Sequence, residues 1–295
     1  MFKFFFFSTF SLFFSGLIFA EEIEPTSSDV SYGPHEDMTL NFWKIESKTS
    51  TPLLVNIHGG GWLGGKKMET VNPGLLKHGY SYASIDYRLA GVELLPAAVH
   101  DAARAIQFLR TKAEEWNFDP ELIAVTGGSA GAASSMWLAY HDDLADPKSE
   151  DPVMRQSSRV CGAVAMGGQT TLDPFLLEKK IGPACIRHPM IWKTVGATSH
   201  EQLMKDWDKY KDLSLECSPL THVTEDDPPV WIRYKNPAPV PVIKGDGIHH
   251  AGFGRLLREK CEEIGIPCYL SIAENEQAEL TSAEFLSMVF AQSIK

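Results

Sequence analysis

The sequence predicts an α/β fold with a mostly parallel central sheet, helices on both faces and an insertion near residues 169–227. Three observations carry that expectation. Short apolar runs alternate with segments of helical period. Two of those runs lead straight into glycine-rich turns, at Gly59 and at Gly127. Residues 169–227 then interrupt the rhythm with scattered helix-like pieces and several prolines.

The chain has 295 residues, of which 44% are hydrophobic and 22% charged. Such a composition allows a sizeable core. Its first twenty residues read as a signal peptide and not as part of the fold. Lys3 supplies a positive charge, an apolar run follows from Phe4 to Phe19, and Ala20 precedes a polar stretch opened by Glu21 and Glu22. The run is short for a membrane span, which favours cleavage over a retained anchor. The expectation is an exported protein, periplasmic or extracellular, with residues 21–295 forming one domain. A net charge of −11 repels phosphate backbones and anionic membranes, so nucleic acid is not an expected partner. Five cysteines (Cys161, Cys185, Cys217, Cys261 and Cys268) leave at least one unpaired. Cys185 and Cys217 are positioned to staple one excursion of the chain; buried free thiols are the alternative. No cysteine spacing resembles a zinc site, and no metal is expected.

Residues 21–36 read as an irregular lead-in. Strands are expected at 38–45, 52–57, 81–86, 121–126, 159–166, 229–234 and 267–273. Helices are expected at 67–78, at 97–116 behind Pro96, at 130–141, 251–264 and 282–293, with a helical piece at 201–211 inside the insertion. Residues 236–247 form a Pro/Gly-rich loop.

Residues 127–131 read Gly-Gly-Ser-Ala-Gly between a strand and a helix. That is the pattern of a nucleophile elbow, whose sharp turn exposes a serine hydroxyl, here Ser129. A glycine-rich turn with a capping serine is the plainer alternative. Residues 58–62 read His-Gly-Gly-Gly-Trp directly after a strand. Glycines let backbone N–H groups approach a developing oxyanion, and the expected donors are those of Gly60, Gly61 and Ala130. His58 is expected to brace the loop.

These motifs, with Asp86-Tyr87-Arg88-Leu89 and Pro96–Leu109 around Asp101, resemble the hormone-sensitive-lipase-like branch of the α/β-hydrolases and its exported feruloyl- and acetyl-esterase relatives. The resemblance implies an α/β-hydrolase fold and serine-dependent hydrolysis of a carboxylic ester through an acyl-enzyme. It implies no cofactor, and it makes a small or polysaccharide-linked ester the substrate. Trp62 and the insertion are then expected to shape the pocket.

The last quarter departs from the pattern. The triad of this fold runs serine, acid, histidine along the chain. Asp246 stands at the position of the acid, but no histidine follows His250. Two readings remain open. His249 or His250 serves as base from the acid's own loop, oriented by Asp246, Glu276 or Glu279, because triads are defined by geometry and not by chain order. Alternatively the machinery is impaired and the fold holds a ligand or carbohydrate without cleaving it. Two further patterns carry less weight. Gly59, Gly61 and Gly64 fit a dinucleotide-binding turn with Asp86 as ribose acid, but Trp62 crowds it. Gly60 to Lys66 fits a phosphate loop, but Lys67 replaces the magnesium-binding hydroxyl.

Overall fold

The computed structural model describes residues 22–272 and 280–292. The expected signal peptide at 1–20 and the alternative orienting acids Glu276 and Glu279 lie outside the described residues.

The strands are β1 (Ser27–Ser31), β2 (Thr39–Trp43), β3 (Thr51–Ile57), β4 (Ser81–Ile85), β5 (Phe118–Gly128), β6 (Gly162–Met166), β7 (Val230–Tyr234) and β8 (Cys268–Ile272). They form one sheet in the order β1-β2-β4-β3-β5-β6-β7-β8. β1, β2 and β4 pair antiparallel in turn. From β4 to β8 every pairing is parallel. The chain crosses from β4 back past β3 to β5, so the carboxyl ends of β3 and β5 flank a switch point, where ligands of open α/β sheets bind.

Period-2 alternation buries both faces of the sheet. Leu53, Val55 and Ile57 of β3 pack in one core, with Ile123 and Val125 of β5. Leu54, Leu122 and Ala124 point to the other core. The first face carries α2 (Ala97–Trp116), α3 (Ala130–Tyr140) and α10 (Gly252–Ile264). The second carries α1 (Pro73–Leu76) and α11 (Ser282–Gln292). Between β6 and β7 lie α4 (Pro174–Lys180), α5 (Pro183–Ile186), α6 (Pro189–Trp192), α7 (His200–Lys205), α8 (Trp207–Glu216) and α9 (Pro219–His222), which make up the predicted insertion.

Four expectations are corrected. The lead-in contains a strand, β1, which is mostly exposed and polar and so shows no apolar alternation. The helix expected at 67–78 shrinks to α1. Side chains from β2 and β4 capture the preceding backbone instead: Ser84 Oγ accepts from the Met68 N–H at 3.0 Å, and Asn41 Nδ2 donates to the Met68 carbonyl at 2.8 Å. The piece at 201–211 divides at Asp206 into α7 and α8. All five cysteines are free thiols, so Cys185 and Cys217 form no staple.

The elbow depends on close approach of backbones. A Cβ added at Gly131 would overlap the carbonyl oxygen of Ile57, and one at Gly127 would meet the same oxygen at 2.6 Å. Gly64, by contrast, faces open space. Gly131→Ala should therefore cost about 2–3 kcal/mol of unfolding free energy through forced backbone shifts. Gly64→Ala should stay within about 0.5 kcal/mol. Urea denaturation of both variants checks the contrast.

Candidate active site

Ser129 sits between β5 and α3 with φ 54° and ψ −122°, a conformation that side-chain-bearing residues rarely adopt. Its N–H donates to the Met166 carbonyl at 2.9 Å, which ties the turn to the end of β6. The hydroxyl makes no capping bond to α3, so Ser129 is not a capping serine. It faces His249 instead, with Oγ 3.0 Å from Nε2. The other ring nitrogen, Nδ1, lies 2.8 Å from Asp246 Oδ2. Ser129, His249 and Asp246 thus form one hydrogen-bonded line.

Acid and histidine come from the same loop after β7. Asp246 Oδ1 also accepts from the backbone N–H groups of Ile248 at 3.2 Å and His249 at 3.3 Å. This Asx-type turn fixes the carboxylate relative to the ring. Partial burial pushes the Asp246 carboxyl up, but its bonds to the His249 ring and to the two N–H groups outweigh that and hold it below its ordinary value. Both side chains remain accessible, at 39% for His249 and 56% for Asp246.

His250, the other candidate base, is turned away from Ser129. Its Nε2 donates to the Ala238 carbonyl at 2.6 Å, and its Nδ1 accepts from the Gly252 N–H at 3.0 Å. The ring is fully buried. With both nitrogens held by backbone groups, it has none left to take a serine proton. It pins the proline-rich stretch to the entrance of α10 and so helps to position Asp246 and His249. Asn236 adds a second tie, donating from Nδ2 to the Asp246 carbonyl at 2.8 Å.

The glycine loop after β3 has three successive residues at positive φ: Gly60 (106°), Gly61 (66°) and Trp62 (57°). The hydrogen bonds found among the described residues leave the N–H groups of Gly60 and Gly61 unused, as oxyanion donors require. Ala130, the third expected donor, opens α3 at its positive end, where N–H groups have no intrahelical acceptor. His58 braces this loop as expected. Its ring stacks on Tyr87 at 4.1 Å, and the Tyr87 hydroxyl donates to the His58 carbonyl at 2.9 Å. Burial lowers the His58 pKa below its ordinary value.

Trp62 does not shape the pocket. It is fully buried, and its indole N–H donates to Ser134 Oγ at 2.9 Å. Side chains from the insertion face the loop instead. A Cβ placed on Gly61 would come within 3.5 Å of Met190 Cβ and 3.9 Å of His188 Cε1. Burial, and next the neighbouring His249, lower the His188 pKa. Sequence patterns gave no reason to single out His188, because the insertion has no motif. A cavity of about 460 Å³ opens beside His249 and Asp246, bordered by Met166, Arg233 and Asn236. A larger one, about 760 Å³, lies elsewhere along α2. Its arginines are already engaged, Arg88 by Asp101 and Arg104 by Asp151.

The nucleotide patterns are not realised. Asp86 is occupied by Lys67, through the backbone N–H at 2.6 Å and Nζ at 3.0 Å. No helix follows the glycine turn until Pro73, so no helix N-terminus meets a phosphate there.

Comparison with known proteins agrees with this architecture. The chain is 28% identical over 228 residues to the probable carboxylic ester hydrolase LipM of Mycobacterium tuberculosis, covering 74% of this chain and 50% of LipM. It is 36% identical over 124 residues to the carboxylesterase NlhH of the same species, covering 40% of this chain and 38% of NlhH. The chain thus spans about half or less of the length of these curated relatives. Among solved structures, a truncated carbohydrate esterase from gut microbiota superposes with a TM-score of 0.69 at 21% identity, covering 91% of this chain and 96% of the other. An acetyl ester-xyloside bifunctional hydrolase from Caldicellulosiruptor lactoaceticus superposes at 0.66 and 20% identity, covering 95% and 98%. Both share the fold. The BD-FAE family model matches residues 42–242, ending just before Asp246, and the chain belongs to this family of hormone-sensitive-lipase-like α/β-hydrolases.

Proposed function

We propose that the protein is a serine-dependent carboxylic ester hydrolase, acting outside the cytoplasm on a small or carbohydrate-linked ester. The observation that carries this reading is the line from Ser129 Oγ to His249 Nε2 at 3.0 Å and from His249 Nδ1 to Asp246 Oδ2 at 2.8 Å. His249 takes the hydroxyl proton as Ser129 attacks the ester carbonyl. Asp246 holds the ring in the tautomer that leaves Nε2 free and stabilises the imidazolium that forms. The N–H groups of Gly60, Gly61 and Ala130 receive the oxyanion, each donor contributing roughly 3 kcal/mol to the transition state. His249 then returns the proton to the departing alcohol. Water, deprotonated by the same ring, releases the acid and regenerates Ser129.

The carbohydrate-linked substrate is supported by the acetyl ester-xyloside and carbohydrate esterases that share the fold. The exposure of His249 and Asp246 supports it too, since an open site accepts an ester carried on a bulky alcohol. Export rests on the leader-like first twenty residues. The alternative, a ligand-holding protein without turnover, loses its main support once a histidine stands in hydrogen-bond reach of Ser129.

Two outcomes are expected. With a short-chain aryl ester, Ser129→Ala and His249→Ala should each lower kcat by about 10⁴–10⁶. His250→Ala should retain activity within about tenfold while unfolding at lower denaturant, because it opens a buried void and frees the 237–241 stretch. A wild type no faster than Ser129→Ala across several acetyl and feruloyl esters would instead favour the ligand-holding alternative. The second outcome concerns pH. A carboxylate with a depressed folded pKa contributes stability above its unfolded value, about 3.9, and loses it as pH falls through the lower folded value. Asp246 should follow that course. Carbon NMR of its carboxyl should give a midpoint below about 3.9, and His249→Ala should move the midpoint upward.

A further inference from the structure

Ser129 precedes the first residue of α3 and His141 follows its last. There His141 meets the end of the insertion. Its Nε2 lies 3.1 Å from Glu216 Oε1, and its ring centroid is 4.6 Å from that of His222. One donor atom from each of His141, Glu216 and His222 falls within 4.8 Å of the other two. The three side chains are half-buried around Trp137, whose ring is 4.2 Å from that of His141.

Hydrogen bonds decide which nitrogen each imidazole presents. His141 Nδ1 is 2.8 Å from the Asp142 carbonyl oxygen. A carbonyl only accepts, so Nδ1 carries the hydrogen. His222 Nε2 is 2.7 Å from the Glu216 carbonyl oxygen and carries its hydrogen for the same reason. The remaining nitrogens, His141 Nε2 and His222 Nδ1, hold lone pairs. Imidazoles anchored through one nitrogen on a backbone carbonyl are the usual arrangement behind a metal ion. His141 Nε2 also turns its lone pair to a carboxylate oxygen. Two acceptors so close require a positive charge between them, either a proton or a metal ion.

We propose that His141, Glu216 and His222 bind a divalent transition-metal ion, with zinc the best match. Two imidazole nitrogens and one carboxylate oxygen form a donor set that zinc accepts, with a fourth position for water. Ligand atoms around tetrahedral zinc stand about 3.3–3.5 Å apart, given bonds of about 2.0–2.1 Å. The carboxyl end of α3 also favours a cation. The ion joins the elbow helix to α8 and α9. His141 stands about 18 Å along the α3 axis from Ser129, at about 1.5 Å per residue, and the ion takes no part in the ester chemistry.

The test treats the full chain with EDTA, equilibrates it with micromolar zinc, dialyses it and measures retained metal by atomic emission. One equivalent is expected in the wild type, in Ser129→Ala and in His249→Ala, with loss in His141→Gln and His222→Gln. Because the two triad variants are included, zinc retention and ester turnover are scored independently. A readout on wild type alone guards against misfolded variants. Zinc should raise Tm by several degrees and protect His141 and His222, but not His35 or His78, from diethyl pyrocarbonate, as mapped by peptide mass. Failure of the wild type to retain zinc, retention undiminished in His141→Gln and His222→Gln, or absence of protection at these two rings overturns the proposal and leaves a protonated His141–Glu216 ion pair.

Discussion

The imidazole of His249 bridges a carboxylate and a serine hydroxyl, and most of the architecture around it serves to hold that bridge. Asp246 and His249 are three residues apart in one turn, so their mutual geometry is local. The carboxylate accepts both from the ring and from the backbone beneath it. Tertiary structure has only to set this turn against the elbow. His250 does so by reaching across to Ala238, Asn236 by holding the Asp246 carbonyl, and Val242 by pairing with Ile181 and Ala184 of the insertion. Gly167 lies beside the ring at φ 62°, a conformation that favours glycine; a Cβ there would be in ordinary contact with His249 Cδ2, at 3.5 Å.

Local chemistry made part of this legible in the sequence. Gly127–Gly131 and His58–Trp62 advertise their conformations because only glycine tolerates the close approaches that the structure shows at Gly127 and Gly131. Helix α2 was legible from its alanine and leucine spacing. The choice between His249 and His250 was not. Consecutive residues on a turn point in different directions, and the direction is set by which carbonyl, Ala238 or none, waits nearby. Trp62 was misjudged for a similar reason. Its place in a glycine motif suggested a pocket wall, but its partner Ser134 lies on α3, seventy-two positions away. β1 stayed hidden because an exposed polar edge strand carries no apolar period.

The insertion does more than connect β6 to β7. Through Met190 and His188 it approaches Gly61. Through Ile181 and Ala184 it receives the proline-rich loop. Through Glu216, whose carbonyl also accepts from the Trp137 indole at 2.8 Å, it grips the far end of α3. The elbow helix is therefore held at one end by β6, through the Ser129 N–H, and at the other by the insertion, and every one of its residues is buried. A rigid helix suits a strained serine, since the strain persists only where the surroundings over-determine it.

The central claim is that His249 is the base, in a fold whose base ordinarily comes from a later loop. Chemical rescue tests it most directly. Removing the ring leaves a space open to solvent beside Ser129, which free imidazole can enter. Ester turnover by His249→Ala should be nearly absent in buffer and should rise with added imidazole toward saturation, while His250→Ala shows no such dependence. Full turnover by folded His249→Ala in buffer alone would contradict the account.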